Sequence, residues 1–340
     1  MLERFVEANV FPGAVAAASR RGVSVLRCAS GSHTYEPDAP PVQQDTLYDL
    51  ASVTKVFTAV AVLTLIDQGQ INLADSAQKY LPALAGDCGN ITVGQLLTHT
   101  SGLPSVPELH VQHESVKDLE AAMFSVSLEY NPGEAVLYTS LGYQYLGYII
   151  EAVSGLRLDE YIQQSILSPC GLDTVHFTPS ASERSRIAPT EYSARRGRLL
   201  QGEVHDENSA TLGGITGHTG LFAQVQGVLA FGEVLLTNEP EILKEESRRL
   251  LFSDLTSPLF PRRSAAFVID DPLFGTWPST TFSHTGFTGT SLCLVPDYDL
   301  VVVLLSNRVH PSRSNTRIAN ARTEFHEALI ELIENKEGAI

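Results

Sequence analysis

From Val56 to Ile66 the chain reads VFTAVAVLTLI, eleven residues without a charge. A helix that is apolar all round has no face to show to water and must be buried on every side. The run is too short to cross a membrane, which takes about 20 apolar residues, so it belongs to a protein core. Yet Lys55 stands at its entrance, with Ser52 three residues earlier. Positions three apart share a helix face, so an amine and a hydroxyl meet where the core helix begins. A serine at a helix start also lies where free N–H groups and the helix dipole favour a developing anion. An N-cap serine beside a lysine that snorkels outward would explain the pair equally well. The rest of the chain must decide between them.

With 340 residues the chain has room for two domains, or for one large domain carrying an insertion. The net charge is −16, and no cluster of Lys and Arg forms a phosphate-binding face. Nucleic acid and anionic membrane surfaces are therefore excluded as expected partners. Cys28, Cys88, Cys170 and Cys293 are scattered without paired spacing. They read as small buried hydrophobes in a reducing compartment. The start, MLERFVEANVFPGAVAAAS, has neither a basic segment nor a long apolar one. It does not read as a signal peptide, and the expectation is a soluble, cytoplasmic protein.

Along the chain, residues 2–9 suggest a short helix. FPGAVAAAS and VSVLRCASG read as two strands turning at RRG. The apolar helix ends at DQGQ, where Gly69 can cap it. Short helices are expected at 92–98 and 117–124, a long one over LGYQYLGYIIEAVSG that stops at Gly155, and another over LDEYIQQSIL. Residues 177–218 read as loop, and TGLFAQVQGVLAFGEVLL as helix. SAAFVID, TFSHTGF, TSLCLVP and LVVVLLSN are strands, followed by a closing amphipathic helix. The expected fold is α+β: an antiparallel sheet flanked by helices, with a helix-rich domain inserted. Residues 1–50 and 260–340 would form the sheet domain and 51–259 the insert, with the active site at their interface.

Three further segments bear on Ser52 and Lys55: Tyr138-Thr139-Ser140, Ser283-His284-Thr285-Gly286, and LLTHTSGLP at 96–104. In this order, Ser52-Val53-Thr54-Lys55, Tyr138 and His284-Thr285-Gly286 resemble the motifs of the serine β-lactamase and penicillin-binding-protein superfamily. The offset of 86 from Ser52 to Tyr138 (138 − 52) is that of the class C β-lactamase-like branch. That branch also holds family VIII esterases, D-aminopeptidases and some acyltransferases. The resemblance covers about Phe11 to Glu331. GEVHDENSATLGGITGHTGLF and LLSNRVHPSRSN are further similar to peptidoglycan-directed amidases and related penicillin-binding-protein-like hydrolases.

The resemblance implies a β-lactamase/transpeptidase-like fold and acyl transfer through Ser52, with no metal or organic cofactor. Lysine and tyrosine both hold their protons at neutral pH in water, so the surroundings must change one of them. Lys55 and Tyr138 are candidate bases and form one coupled pair; which takes the proton is left open. The oxyanion hole would be the backbone N–H of Ser52 and of Phe287. Ser140, His284, Thr285, Gly286, Asn307 and Arg308 are the candidate substrate contacts, with Arg308 suited to a carboxylate.

Two positions depart from the β-lactamase pattern. Ser140 stands where asparagine is usual, and His284 where lysine supplies a fixed charge. Both weaken the case for β-lactam hydrolysis. His205, Asp206, Glu207 and Asn208 read as a hydrogen-bonded loop lining the cleft rather than a metal site. His110 and His113 read as solvated, and His99 and His218 as loop-holding residues. Phe274 and Trp277 are either pocket wall or core. The expected partner is a small-molecule ester or amide. The alternatives are an acyltransferase, a cell-wall amidase or D-peptidase, and a non-catalytic binding protein of this fold. Substrate identity and oligomeric state are left open.

Overall fold

A computed structural model describes residues 1–84, 86–105, 109–113 and 115–337, the last three by backbone alone. Residues 106–108 and 114 lie outside the described residues. Apolar runs at both ends of the chain solve their burial together. The opening hairpin is β1 (Gly13–Arg20) and β2 (Val23–Gly31), turning at Arg21 and Gly22, both with positive φ. Five short strands follow: β3 (Tyr48–Asp49), β4 (Val175–Phe177), β5 (Tyr192–Ser193), β6 (Arg198–Leu199) and β7 (Leu221–Ala223). The last four are β8 (Val268–Ile269), β9 (Phe282–Thr285), β10 (Ser291–Val295) and β11 (Leu300–Ser306). The main sheet is antiparallel, in the order β2-β1-β11-β10-β9-β8. β1 pairs with β11 from Ala14 opposite Ser306 to Arg20 opposite Leu300.

β11 is buried along its whole length, so both faces of the sheet must be covered. On one face Ala16, Val302 and Leu304 pack with Phe5 of the helix Leu2–Glu7 and with Phe325 and Leu329 of the helix Ile318–Glu337. On the other, Val15, Val301 and Val303 join the main core through the helix Val225–Thr237. That helix falls within the 51–259 stretch expected to form the insert, yet packs against β1, β10 and β11. Phe274 and Trp277 belong to the first of these cores, where the Trp277 indole donates to His326 Nδ1 at 3.1 Å. They are not cleft wall.

The apolar run forms the helix Thr54–Asp67, with every residue from Thr54 to Leu65 buried. It packs against the helix Ser140–Ser154 on one side, and Phe57 stacks on Phe231 at 3.8 Å on another. Gly155 ends the Ser140–Ser154 helix at φ +71, as a left-handed cap. One expected element is corrected. TGLFA is not helical: Leu221–Ala223 is β7, the middle strand of a second sheet β3-β7-β4, and the helix starts at Val225. Gly220 holds φ +117, which no helix accommodates, and β7 gains hydrogen-bonded neighbours on both edges. Residues 178–218 are mainly loop, carrying the β5–β6 hairpin and the short helix Glu207–Thr211. No helix among the described residues is long and apolar enough to cross a membrane.

Candidate active site

Ser52 lies in a single 3-10 turn, Ala51–Val53, one turn ahead of the central helix rather than as its N-cap. Ala51 immediately before it has φ +46, a left-handed conformation that costs a non-glycine residue of order 1–3 kcal/mol. Asp49 holds it there, its Oδ1 accepting the Ala51 N–H at 2.8 Å. Lys55 is wholly buried, and its Nζ donates to Ser52 Oγ at 2.9 Å and to the His218 carbonyl at 3.1 Å. The GHTG segment that supplies that carbonyl is clamped to the same helix. Thr58 Oγ1 donates to Gly217 O at 2.7 Å, and the Leu221 N–H donates to Thr54 Oγ1 at 3.3 Å.

Tyr138 comes to this pair from the end of a loop. His99 holds the loop from two sides: its carbonyl accepts the Leu137 N–H at 2.9 Å, and its Nδ1 accepts the Thr139 N–H at 3.3 Å. Its ring packs on Tyr138 with centres 4.6 Å apart. Thr139 Oγ1 then caps the following helix through the Leu141 N–H. Lys55 Nζ stands 5.0 Å from the centre of the Tyr138 ring. Burial, then the charges of Arg263 and Lys55, keep the His99 imidazole well below its usual value.

The third motif arrives on β9. His284, Thr285, Gly286 and Phe287 line a cleft of about 920 Å³ together with Ser52, Tyr138 and Arg308. Burial, with Lys55 and Arg263 nearby, pushes His284 down to about 3. Its Nδ1 donates to the Thr285 carbonyl at 2.9 Å. The ring is therefore neutral at ordinary pH and supplies no fixed charge.

The other sequence candidates fall elsewhere. Ser140 lines a second cavity of about 60 Å³ with Gln144, Asp206, Asn208 and His218. Asn307 is buried beside the cleft, its amide donating to the carbonyls of His33 and Pro189, both at 2.8 Å. Arg308 lines the cleft but donates to the carbonyls of Phe287, Arg313 and Asn315. His110 is buried rather than solvated, its backbone N–H donating to Asn208 Oδ1 at 2.9 Å. The VHDEN loop is tied by hydrogen bonds: the His205 N–H donates to Asp49 Oδ2, and its Nε2 lies 2.9 Å from Glu191. Among the described residues no cluster of His, Cys, Asp and Glu could hold a metal ion.

Sequence reasoning missed Arg263. It is buried, lines the cleft and places its guanidinium 5.5 Å from the Tyr138 ring centre. Its Nε has no hydrogen-bond partner. Nothing in PRRS, a polar loop by composition, signals that role. Asp49 had a weak local signal, a carboxylate two residues ahead of a turn.

The profile of the beta-lactamase family matches residues 1–326. The chain belongs to the beta-lactamase family. It is an enzyme of the serine hydrolase class found there. Similar relatives include proteins named putative D-alanyl-D-alanine carboxypeptidase from Salmonella paratyphi A and Salmonella newport. Each is 30% identical, over 81% of this chain and 72% of the relative. Solved structures share the beta-lactamase fold at low identity. EstCE1, described as a hydrolase with promiscuous acyltransferase activity, is 20% identical with a TM-score of 0.76, over 95% of this chain and 96% of its own. The octameric penicillin-binding protein homologue from Pyrococcus abyssi is 24% identical with a TM-score of 0.77, over 97% and 75%. Unliganded simvastatin synthase from Aspergillus terreus is 20% identical with a TM-score of 0.71, over 96% and 97%.

Proposed function

We propose that this beta-lactamase-family chain hydrolyses an ester or amide through an acyl-Ser52 intermediate. The observation that carries this is the wholly buried Lys55 amine, 2.9 Å from the Ser52 hydroxyl at the base of the cleft. In the proposed reaction Ser52 Oγ bonds to the carbonyl carbon and its proton passes to the Lys55/Tyr138 pair. The backbone N–H groups of Ser52 and Phe287 stabilise the oxyanion. The carbon–heteroatom bond breaks, the pair returns the proton to the leaving group, and water releases the acid by the same steps. An amine or alcohol in place of water makes the reaction acyl transfer.

Intact-protein mass spectrometry with a fluorophosphonate and a penicillin, beside p-nitrophenyl ester turnover, tests the reading. A mass adduct and turnover that both vanish in S52A are expected. Turnover that survives in S52A refutes it. Added amine converting the ester to an amide product assigns the acyltransferase branch.

Arg263 favours a second, narrower reading. A buried guanidinium without a hydrogen-bonded carboxylate is costly, and one that lines the cleft suits a substrate carboxylate. Taken with relatives named as carboxypeptidases, this supports peptides that end in a free carboxylate. Such a peptide turning over at least about tenfold faster than its C-terminal amide, with the preference lost in R263M, supports it. Equal rates refute it.

A further inference from the structure

We infer that Thr288 and Arg308 are positioning residues for the oxyanion hole, fixing the Phe287 peptide against the segment that carries Ser52. The inference rests on the acyl-Ser52 reading. Two N–H groups can share one oxyanion only if their peptides are held in register, and here they come from opposite ends of the chain. The donor window is narrow, about 2.7–3.1 Å.

The hydrogen bonds that join the two segments are side-chain donations. Thr288 Oγ1 donates to the Asp49 carbonyl at 2.7 Å, and Thr290 Oγ1 donates to the Leu50 carbonyl at 2.8 Å. Both threonines are buried. Each hydroxyl reaches across about 240 residues of sequence to the backbone just ahead of Ser52. Asp49 extends the brace, since its carboxylate accepts the N–H of Ala51 at 2.8 Å and of His205 at 2.7 Å.

Phe287 is held from its other side. Its ring is half exposed, so burial does not fix it. Arg308 does so twice over. Its Nε donates to the Phe287 carbonyl at 2.7 Å, and its guanidinium carbon sits 4.3 Å from the ring centre. The His205 ring stacks on Phe287 as well, at 5.6 Å and 27°. Arg308 is itself anchored, with Nη1 donating to Arg313 O at 3.0 Å and Asn315 O at 2.7 Å. Those three donors are spent on backbone carbonyls, so this edge of the Arg308 guanidinium orients a peptide. The Phe287 carbonyl and the Thr288 side chain tie the peptide plane after Phe287, and the Gly286 carbonyl, coplanar with the Phe287 N–H, accepts the Gly289 N–H at 3.0 Å in the same turn.

The test compares T288V, T288S and R308M with wild type and S52A. It uses p-nitrophenyl ester kinetics, inhibition by phenylboronic acid as the tetrahedral analogue, and thermal melting. Removing an oxyanion donor outright costs about 10²–10³ in rate, so a displaced donor is expected to cost about 10–100-fold. T288V and R308M should lose that factor in kcat with KM within about twofold, and lose boronate affinity in parallel. T288S, which keeps the hydroxyl, should return to near wild type. Wild-type kcat in folded T288V and R308M, with S52A inactive, overturns the inference alone. A rise in KM confined to carboxylate-bearing substrates in R308M overturns it in favour of a binding role. Turnover in S52A removes the reading beneath it. If T288V does not fold, R308M decides by itself.

Discussion

Gly286→Ala probes how tightly the His-Thr-Gly strand lies against the nucleophile segment. A Cβ built on Gly286 falls 2.0 Å from Thr290 Oγ1 and 2.4 Å from the Leu50 carbonyl oxygen, where ordinary contact begins at 3.4 Å. The threonine hydroxyl can rotate away only by giving up its bond to the Leu50 carbonyl. The carbonyl is main chain, two residues before Ser52, and cannot yield unless that segment moves. Relief therefore requires the two segments to part by about 1 Å, more than twice the width of the donor window. A misplacement of that size costs about 10²-fold in catalysis. The overlap itself should lower stability by about 1–3 kcal/mol. We expect kcat for a p-nitrophenyl ester to fall about 10²-fold in G286A, with a modest change in KM and a lower melting temperature. A variant that melts like wild type and keeps kcat within threefold would show that the segments are not in rigid contact, and the reasoning would fail.

Lys55→Met should lower ester turnover by about 10²–10⁴-fold while stability falls by no more than about 1–2 kcal/mol, because the amine is buried without a hydrogen-bonded carboxylate; paired kinetics and calorimetry check both. His284, pushed down to about 3 by burial and by Lys55 and Arg263, should show no imidazole titration by NMR between pH 8 and 5. The unfolded ring takes a proton near pH 6.5 that the folded ring refuses, so this residue's contribution to stability declines as pH falls from about 6.5 towards 3. In Glu191, burial pushes the carboxyl up, but hydrogen bonds from His205 and Arg313 outweigh it and bring it down to about 2. Its stabilisation is present above about pH 4.5 and lost between there and 2. E191Q should therefore be less stable than wild type at pH 7, by denaturant titration, and lose less on acidification.

Much of this protein is written locally. A charge-free run of eleven residues can only be a buried segment, and it became the helix that the sheet and the other helices share. Ser52 and Lys55, three apart, met because helical turns bring such positions together. Gly155 stopped its helix because glycine alone takes a left-handed cap without strain. These outcomes follow from periodicity and backbone preference, which neighbouring residues suffice to express. Others depended on partners far along the chain. Leu221–Ala223 lies just ahead of a helix but became a strand because β3 and β4 stood on either side. Ala51 at its strained φ donates its N–H to Asp49, whose other carboxylate oxygen accepts from the distant His205. Arg308 faces three carbonyls, Asn307 two more, and Ser140 a separate cavity. Arg263 ends beneath Tyr138, 125 positions away in sequence (263 − 138). Side-chain donors recognise backbone carbonyls, and every residue carries one. Their pairing therefore leaves no mark in sequence until the fold brings one particular carbonyl within reach.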